Sequence, residues 1–413
     1  MALSLKTKKE LTKELAKRYQ KASKKEKSQI LDEFTKTTGY NRSYASYLLS
    51  HHGKIIYYAP LKAFQIDAKS KIKRKRKPIY DEKVKKALIY LWKISYFPCG
   101  KRLKSLLPKI IPKLIHFNEI VLDKEIEEKL LKISPATIDR LLSSTKKAHR
   151  LRNRSKTKPG TLLKKQIPVR VFNEWDENRP GFMEIDLVAH TQDSARGEFL
   201  YTLCATDIFS GWIELFALKN RAQKWTFSAI LQMKERLPFP LLGIDSDNGS
   251  EFINAHLLRF CKENKITFTR SRPYRKNDNC YVEQKNYSVV RKFVGYLKHD
   301  TEEELEILNE FYQVLRLYIN FFQPSAKLIF RERVGGKIRK RYDSPKSPYE
   351  RLMESPYISE ETKEELKALY EKLNPAELYR RIRWYQRRLE RAYFKKKGII
   401  PRIKMKVGKG AVK

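Results

Sequence analysis

The sequence has few cysteines and no long apolar run. Its four cysteines, at positions 99, 204, 261 and 280, are widely separated and form no CxxC pair, so neither a disulfide framework nor a cysteine zinc site is indicated. No apolar run of about 18 residues occurs, and no charged-then-apolar leader stands at the N-terminus. We therefore expect a soluble, intracellular protein without a membrane partner.

Acidic residues are scarce relative to basic ones. The 413 residues include 89 Lys plus Arg against 47 Asp plus Glu, for a formal net charge of +42. The excess of basic residues runs along most of the chain, which favours a long polyanion as the partner, most simply a nucleic acid. The alternative is a generally basic proteome, in which this net charge would say less about the partner. The 41% hydrophobic content argues for folded domains, and the length favours two to four of them.

The first part of the chain has the outline of a helix-turn-helix. Residues 25–33 have an apolar face, Gly39 interrupts the pattern, and Asn41 can cap a second helix over 42–50. Any small helical hairpin would look similar. We predict a helix-turn-helix DNA-binding region over residues 1–68.

A second helical group follows over residues 79–147, between basic segments at 69–78 and 148–168 that we interpret as linkers. Its last stretch has Ser134 as a candidate N-cap and Pro135 at the first helical position. Because a basic helix that closes a helical group suits a recognition helix, we predict that 79–147 is a second DNA-binding region.

Beyond the second linker the pattern changes to strands. Three strand-like runs at 181–190, 199–210 and 212–218 have the spacing of an antiparallel meander. Helical and strand-like segments then alternate: helices at 222–237, 250–264 and 277–297, and strands at 241–247 and 266–271. This order predicts a mixed five-stranded sheet covered by helices.

Three carboxylates occupy informative positions in this region. Asp186 stands mid-strand, where an ionised side chain is costly unless it binds a cation; Asp247 ends the fourth strand, and Glu283 lies in the last helix. Asp245, on the same strand face, is the alternative to Asp247. Hard oxygen ligands of this kind suit Mg²⁺ or Mn²⁺, and two ions about 3.5–4 Å apart would support phosphodiester cleavage.

Thirty-five residues separate Asp247 from Glu283, and the set resembles the D,D-35-E pattern of retroviral integrases and insertion-sequence transposases. The stretches EIDLVAH, SDNGSEFIN, RSRPYRKNDN and VEQKN are similar to those of a bacterial transposase group with an integrase-type core. The resemblance implies a ribonuclease-H-like catalytic domain over 170–322 and metal-dependent DNA strand transfer. It also implies that Asp186, Asp247 and Glu283 are the catalytic metal ligands. The HHCC zinc domain of retroviral integrases is missing, and helix-turn-helix modules take its place.

Residues next to these acids are candidates for DNA contact. Arg272, Arg275 and Lys276 precede the helix of Glu283 and either touch the DNA backbone or form an exposed basic loop. Asn286 lies one turn beyond Glu283, where it either faces a phosphate or orients the carboxylate.

The C-terminal region, 326–413, is basic and partly helical. Gly335-Gly336 and nearby prolines predict irregular backbone, and Asn374-Pro375 caps a helix over 376–397. That helix binds DNA, binds a second subunit or packs against the core; the sequence leaves these roles open.

These observations predict a DNA transposase whose partners are double-stranded terminal repeats and target DNA. It would act as a homo-oligomer in the synaptic complex, in the cytoplasm at the nucleoid. The alternatives are a structure-selective nuclease of the same fold, and a non-catalytic DNA-binding regulator derived from a transposase.

Overall fold

The computed structural model describes residues 3–53, 55–58, 64–67, 79–148, 178–191, 197–246, 252, 255–270 and 280–399. The chain divides into two compact units, residues 1–79 and 80–413. The linker predicted at 69–78, and that at 148–168 apart from its first residue, lie outside the described residues.

The described residues of the first unit form three helices and two paired antiparallel strands. The elements are α1 (Leu5–Lys21), α2 (Lys24–Thr38), α3 (Arg42–His51), β1 (Ile55–Tyr58) and β2 (Phe64–Asp67). As predicted, Gly39 ends α2, with a left-handed φ of 69°, and the side chain of Asn41 caps α3 by accepting a hydrogen bond from the backbone N–H of Ser43 at 2.9 Å. Phe34 and Leu49 are fully buried between the helices.

Among its described residues, the second unit opens with five helices, of which the first four share a hydrophobic cluster. They are α4 (Glu82–Ile94), α5 (Gly100–His116), α6 (Lys124–Lys132), α7 (Pro135–Leu141) and α8 (Ser143–Ala148). Ser134 caps α7 and Pro135 begins it, as predicted. The predicted helix is interrupted at Leu142, which is fully buried and has a ψ of −3°, so that α8 continues as a separate turn.

The mixed five-stranded sheet is confirmed. Its strands are β3 (Phe182–Ala189), β4 (Tyr201–Asp207), β5 (Ile213–Leu218), β6 (Gly243–Ser246) and β7 (Thr267–Arg270), in the order β5-β4-β3-β6-β7. β3, β4 and β5 form an antiparallel meander, and β6 and β7 extend the sheet in parallel from β3. Two helices in this part are α9 (Gln223–Arg236) and α10 (Ala255–Glu263).

The helix predicted over 277–297, of which residues 277–279 lie outside the described residues, ends earlier and is less regular than expected. It consists of α11 (Cys280–Lys285) followed by a π-helical turn (Asn286–Arg291). The helix ends soon afterwards at residue 293. Gly295 follows with a left-handed φ of 95°, a conformation that does not continue a right-handed helix.

Helices and a hairpin complete the unit: α12 (Glu302–Phe322), β8 (Leu328–Val334), β9 (Lys337–Tyr342), α13 (Pro348–Met353), α14 (Glu360–Lys372) and α15 (Pro375–Lys396). The prediction of irregular backbone around Gly335-Gly336 is wrong. The two glycines form the tight turn between β8 and β9, and Gly335 has a φ of 57°, which a two-residue hairpin turn favours.

The apolar stripe predicted on the C-terminal helix is confirmed. Asn374 caps α15, and the helix buries Leu378, Ile382, Tyr385 and Leu389 in the hydrophobic cluster that also contains the sheet and α12. No helix among the described residues is long and apolar enough to cross a membrane.

Candidate active site

Asp186 lies in the central strand β3, opposite Cys204 of β4. Its side chain is half-buried, and both carboxylate oxygens are engaged. Oδ1 accepts a hydrogen bond from the backbone N–H of Leu187 at 2.7 Å, and Oδ2 accepts one from the Asn286 Nδ2 at 2.6 Å. The Asn286 amide therefore fixes the orientation of the Asp186 carboxylate.

Glu184 precedes Asp186 by two positions, so both side chains lie on the same face of β3. Glu184 is fully buried. Its Oε2 accepts hydrogen bonds from the backbone N–H groups of Tyr281 at 2.9 Å and Val282 at 2.8 Å. The first turn of a helix has backbone N–H groups without helical partners, and the Glu184 carboxylate satisfies two of them at the start of α11.

The helix of Glu283 is thus attached to β3 on both sides of Glu283. Val282 is held by Glu184, Asn286 by Asp186, and farther along the Arg291 guanidinium donates to the carbonyl of Ala189 at 2.8 Å. Glu283 itself has an exposed side chain. The helix consequently runs alongside the strand and presents Glu283 between two fixed points.

Strand β6 lies next to β3 on its other side. Ser246, the last described residue of β6, is paired with Ile185, the neighbour of Asp186. Asp247 follows Ser246 in the chain and lies outside the described residues. Asp245 is buried, and its Oδ1 accepts a hydrogen bond from the Thr269 hydroxyl at 2.6 Å, which ties β6 to β7.

Among the predicted site residues, Asp186 and Asn286 are in contact. Glu283 lies on the same helical segment as Asn286. Predicted residues outside the described part of the chain are Asp247, Arg272, Arg275 and Lys276. Within the described part, no three His, Cys, Asp or Glu side chains are grouped so as to hold a metal ion. The donors present, Asp186 and Glu283, offer carboxylate oxygens of the type that Mg²⁺ prefers.

The role of Glu184 was not predicted from the sequence. The available signal was the alternation in MEIDL, which places two acids on one strand face. A buried acid requires partners, but the sequence does not reveal that these partners are the N–H groups of a helix almost 100 residues later.

Comparisons with known proteins identify the domain that contains Asp186. The family model for the integrase core domain matches residues 176–276. The uncharacterized protein y4rM of Sinorhizobium fredii is 37% identical over 349 residues, which span 84% of this chain and 96% of that protein. The chain belongs to the DDE transposase and integrase superfamily.

Two solved structures of the superfamily are also similar to the chain. The catalytic core domain of BIV integrase has 19% identity and a TM-score of 0.28, over 41% of this chain and 91% of that one. The HTLV-2 integrase catalytic core domain, solved in a dimeric form in complex with magnesium, has 20% identity and a TM-score of 0.27, over 35% and 90% of the two chains. An integrase core is the fold of a polynucleotidyl transferase, and the superfamily assignment supports a transposase-like role.

Proposed function

We propose that this superfamily member is a DNA transposase that binds the ends of a mobile element and catalyses metal-dependent DNA cleavage and strand transfer. One observation carries the proposal: β3, with Asp186, is attached through Glu184 and Asn286 to the helix that presents Glu283. An enzyme that stabilises charge on transferring phosphates needs its acids held before the substrate arrives. These contacts supply that preorganisation.

Asp186, Asp247 and Glu283 are the proposed ligands of two Mg²⁺ or Mn²⁺ ions. When bound, such ions activate the attacking oxygen and neutralise charge on the leaving oxygen of a phosphodiester. Asn286 holds the Asp186 carboxylate in one rotamer, and Glu184 holds the helix of Glu283 at its first turn. These two residues position the ligands and do not touch the reacting atoms.

DNA recognition is assigned to the two helical regions, residues 1–68 and 79–147. In the first, α2 and α3 are joined by a short turn, and α3 exposes Tyr44 and Tyr47 on the helix that we propose reads the terminal repeat. Arg272, Arg275 and Lys276 are the proposed contacts to the DNA backbone near the active site. Of the two roles expected for Asn286, contact with a phosphate or orientation of the carboxylate, its hydrogen bond to Asp186 favours the second.

Transposition joins two element ends to one target. We therefore propose that the protein acts as a homo-oligomer on double-stranded terminal repeats and target DNA, in the cytoplasm at the nucleoid. The strongly basic chain, at +42, is suited to holding several DNA segments at once.

The decisive experiment is a joining assay with DNA that carries the ends flanking the coding region. Wild-type protein with Mg²⁺ is expected to give nicked and joined products, and EDTA is expected to abolish both. Asp186→Asn and Glu283→Gln should lower joining by at least about a thousandfold while DNA binding persists. Glu235→Gln, which removes an exposed acid of α9, is the matched control and should keep full activity.

Each alternative has its own result. Cleavage without joining would replace the proposal with a structure-selective nuclease. Binding of the ends without cleavage in the wild type would replace it with a non-catalytic regulator. Full activity of Asp186→Asn would refute the assignment of the site.

A further inference from the structure

The outward side of α15 has a shallow groove with a volume of about 610 Å³. The opposite side of the helix is fixed in the core by Ile382, Tyr385 and Leu389, so the groove belongs to a rigid element. Its lining is mostly arginine: Glu377, Tyr379, Arg380, Arg381, Arg383, Trp384 and Arg387.

Most of the positive charge in the groove is unneutralised. Arg380 forms a two-point ion pair with Glu119, both contacts being 2.7 Å. Arg381, Arg383 and Arg387 have no carboxylate partner among the residues that the structure describes. Arg383 and Arg387 are four positions apart and share one face of α15 with Trp384, and Arg381 lies at the flank of that face. Guanidinium groups placed in this way are complementary to phosphates.

Trp384 lies among these arginines and is 48% exposed. The Arg388 guanidinium covers part of the indole, 4.8 Å from the ring centre, and Arg388 is itself held by Glu310. A large exposed aromatic ring fixed beside arginines is typical of sites that bind unpaired nucleotides, because bases stack on the ring while the cations bind the phosphates.

The groove is attached to the catalytic helix. Gln386 of α15 donates hydrogen bonds to the carbonyl of Phe293 at 2.6 Å and to the Tyr96 hydroxyl at 2.9 Å. Phe293 is the last residue of the helical segment that carries Glu283, about 15 Å along the helix from it at 1.5 Å per residue. A strand a few nucleotides long would span that distance.

We propose that this groove binds a single-stranded segment of the DNA substrate next to the cleavage site. Arg383 and Arg387 contact its phosphates, and an unpaired base stacks on Trp384. The inference rests on the proposed function, because cutting one strand leaves nucleotides that can separate from their complement.

The test measures affinity for a fluorescent oligothymidine of about 12 nucleotides across a series of salt concentrations. Trp384→Ala should weaken binding about tenfold, whereas Trp384→Phe, which keeps an aromatic face, should stay within about threefold of wild type. Arg383→Gln with Arg387→Gln should reduce the slope of log affinity against log salt by about 1.4, since each phosphate contact to a single strand contributes about 0.7.

Two matched controls separate the groove from general effects. Trp225→Ala removes a tryptophan that is 38% exposed and lies beside Lys224 at 4.7 Å, away from the groove. Lys367→Gln with Lys372→Gln removes two exposed charges from α14. Both are expected to bind oligothymidine within about twofold of wild type, and unchanged melting temperatures would show that all variants fold.

The outcomes distinguish this inference from the transposase proposal. If Trp384→Ala binds like Trp225→Ala, the groove is not a single-strand site, whatever the joining assay gives. An equal loss of affinity for duplex would indicate a general duplex surface and would also overturn the inference. If Trp384→Ala loses affinity for oligothymidine while the wild type joins no ends, the groove is a single-strand binding site and the transposase proposal is wrong.

Discussion

Lys285, two residues after Glu283, has an ammonium group in surroundings that disfavour its charged form. Its Nζ lies 3.8 Å from the point that a Cβ would occupy on Gly211, in the turn between β4 and β5. Within the described residues no hydrogen bond or ion pair of this ammonium group is seen. A lysine in such surroundings reduces stability as long as it remains charged.

Burial lowers the pKa of Lys285 to about 8. A Cys204 thiolate would raise that pKa, but burial holds the pKa of Cys204 itself at about 12, so the thiol is neutral at physiological pH. Arg102, Arg351 and Lys327 repel the ammonium and lower the pKa of Lys285 further.

We predict that Lys285→Met stabilises the protein at pH 7 by roughly 1–2 kcal/mol, after allowance for the solvent that still reaches the ammonium. The folded pKa lies below the usual 10.5, so the unfolded chain binds more protons between these values and wild-type stability rises with pH there. The advantage of Lys285→Met should therefore shrink as pH rises through about 8 toward 10.5. Chemical denaturation at several pH values measures it.

Lys262→Met on the exposed side of α10 is the matched substitution and should show no such pH dependence. A loss of stability in Lys285→Met at pH 7 would contradict the prediction and would mean that the ammonium group is paired in solution.

At the scale of elements, the geometry of the candidate site depends on how β3 and α11 are joined. Glu184→Ala would leave the N–H groups of Tyr281 and Val282 without their buried acceptor, at a cost of roughly 3 kcal/mol. A shift of about 1 Å in the helix of Glu283 is enough to lower joining about a hundredfold. Glu184→Gln keeps an acceptor oxygen and should stay within about tenfold of wild type in the joining assay.

The control for lost stability is Asp207→Asn. Asp207 is a buried acid of the same sheet that accepts hydrogen bonds from the backbone N–H groups of Gly181 and Ser210. It is paired with Met183, so its side chain lies on the face of the sheet opposite to Glu184. It should lower the melting temperature yet keep joining per folded molecule within about threefold. An equal loss of joining in Asp207→Asn and Glu184→Ala would assign Glu184 a merely structural role.

The elements that the sequence predicts well have strong local signals. The strand at 182–189 is apolar apart from Glu184 and Asp186, and the strand at 213–218 is apolar apart from Glu214. Asn374 with Pro375 marks the start of α15. The hairpin β8–β9 was missed because charged residues occupy three of the seven positions in β8 and four of the six in β9, and its pairing depends on the Gly335-Gly336 turn. The π-helical turn at 286–291 was also missed, since a single extra residue per turn leaves little trace in apolar periodicity.

The residues of the candidate site also divide into those that a local sequence signal predicts and those that it does not. Asp186 and Glu283 were predicted from an acid in an apolar strand and from spacing along the chain. The contacts of Asn286 with Asp186 and of Glu184 with α11 join residues about 100 positions apart. Such pairs form only when the tertiary fold brings a helix onto a strand, so no local pattern reveals them.

At the scale of the whole molecule, the C-terminal helices share one hydrophobic cluster with the catalytic sheet. Leu352, Leu366, Ile382 and Leu389 belong to the same buried set as Ile185 and Leu203 of the sheet. The helical group α4–α8 is linked as well, because Tyr96 stacks on Phe293 with ring centres 3.9 Å apart. Residues 80–413 accordingly form one unit.

We predict that deleting residues 323–413 abolishes cooperative folding of the catalytic core. The deletion removes α13, α14 and α15 and exposes the apolar side of α12, where Phe311 and Leu315 are fully buried. Because this apolar surface would face water, the truncated protein should aggregate and show no cooperative thermal transition. Deleting residues 1–79 removes the other compact unit and should shift the melting temperature of the remainder by less than about 3 °C, while binding of terminal repeats falls. Circular dichroism melting of both truncated proteins makes the comparison. The prediction is wrong if the protein lacking residues 323–413 melts cooperatively at a temperature near that of the 80–413 protein. The core would then fold without its C-terminal helices, and the arginine groove of α15 would belong to a segment that the core does not need for folding.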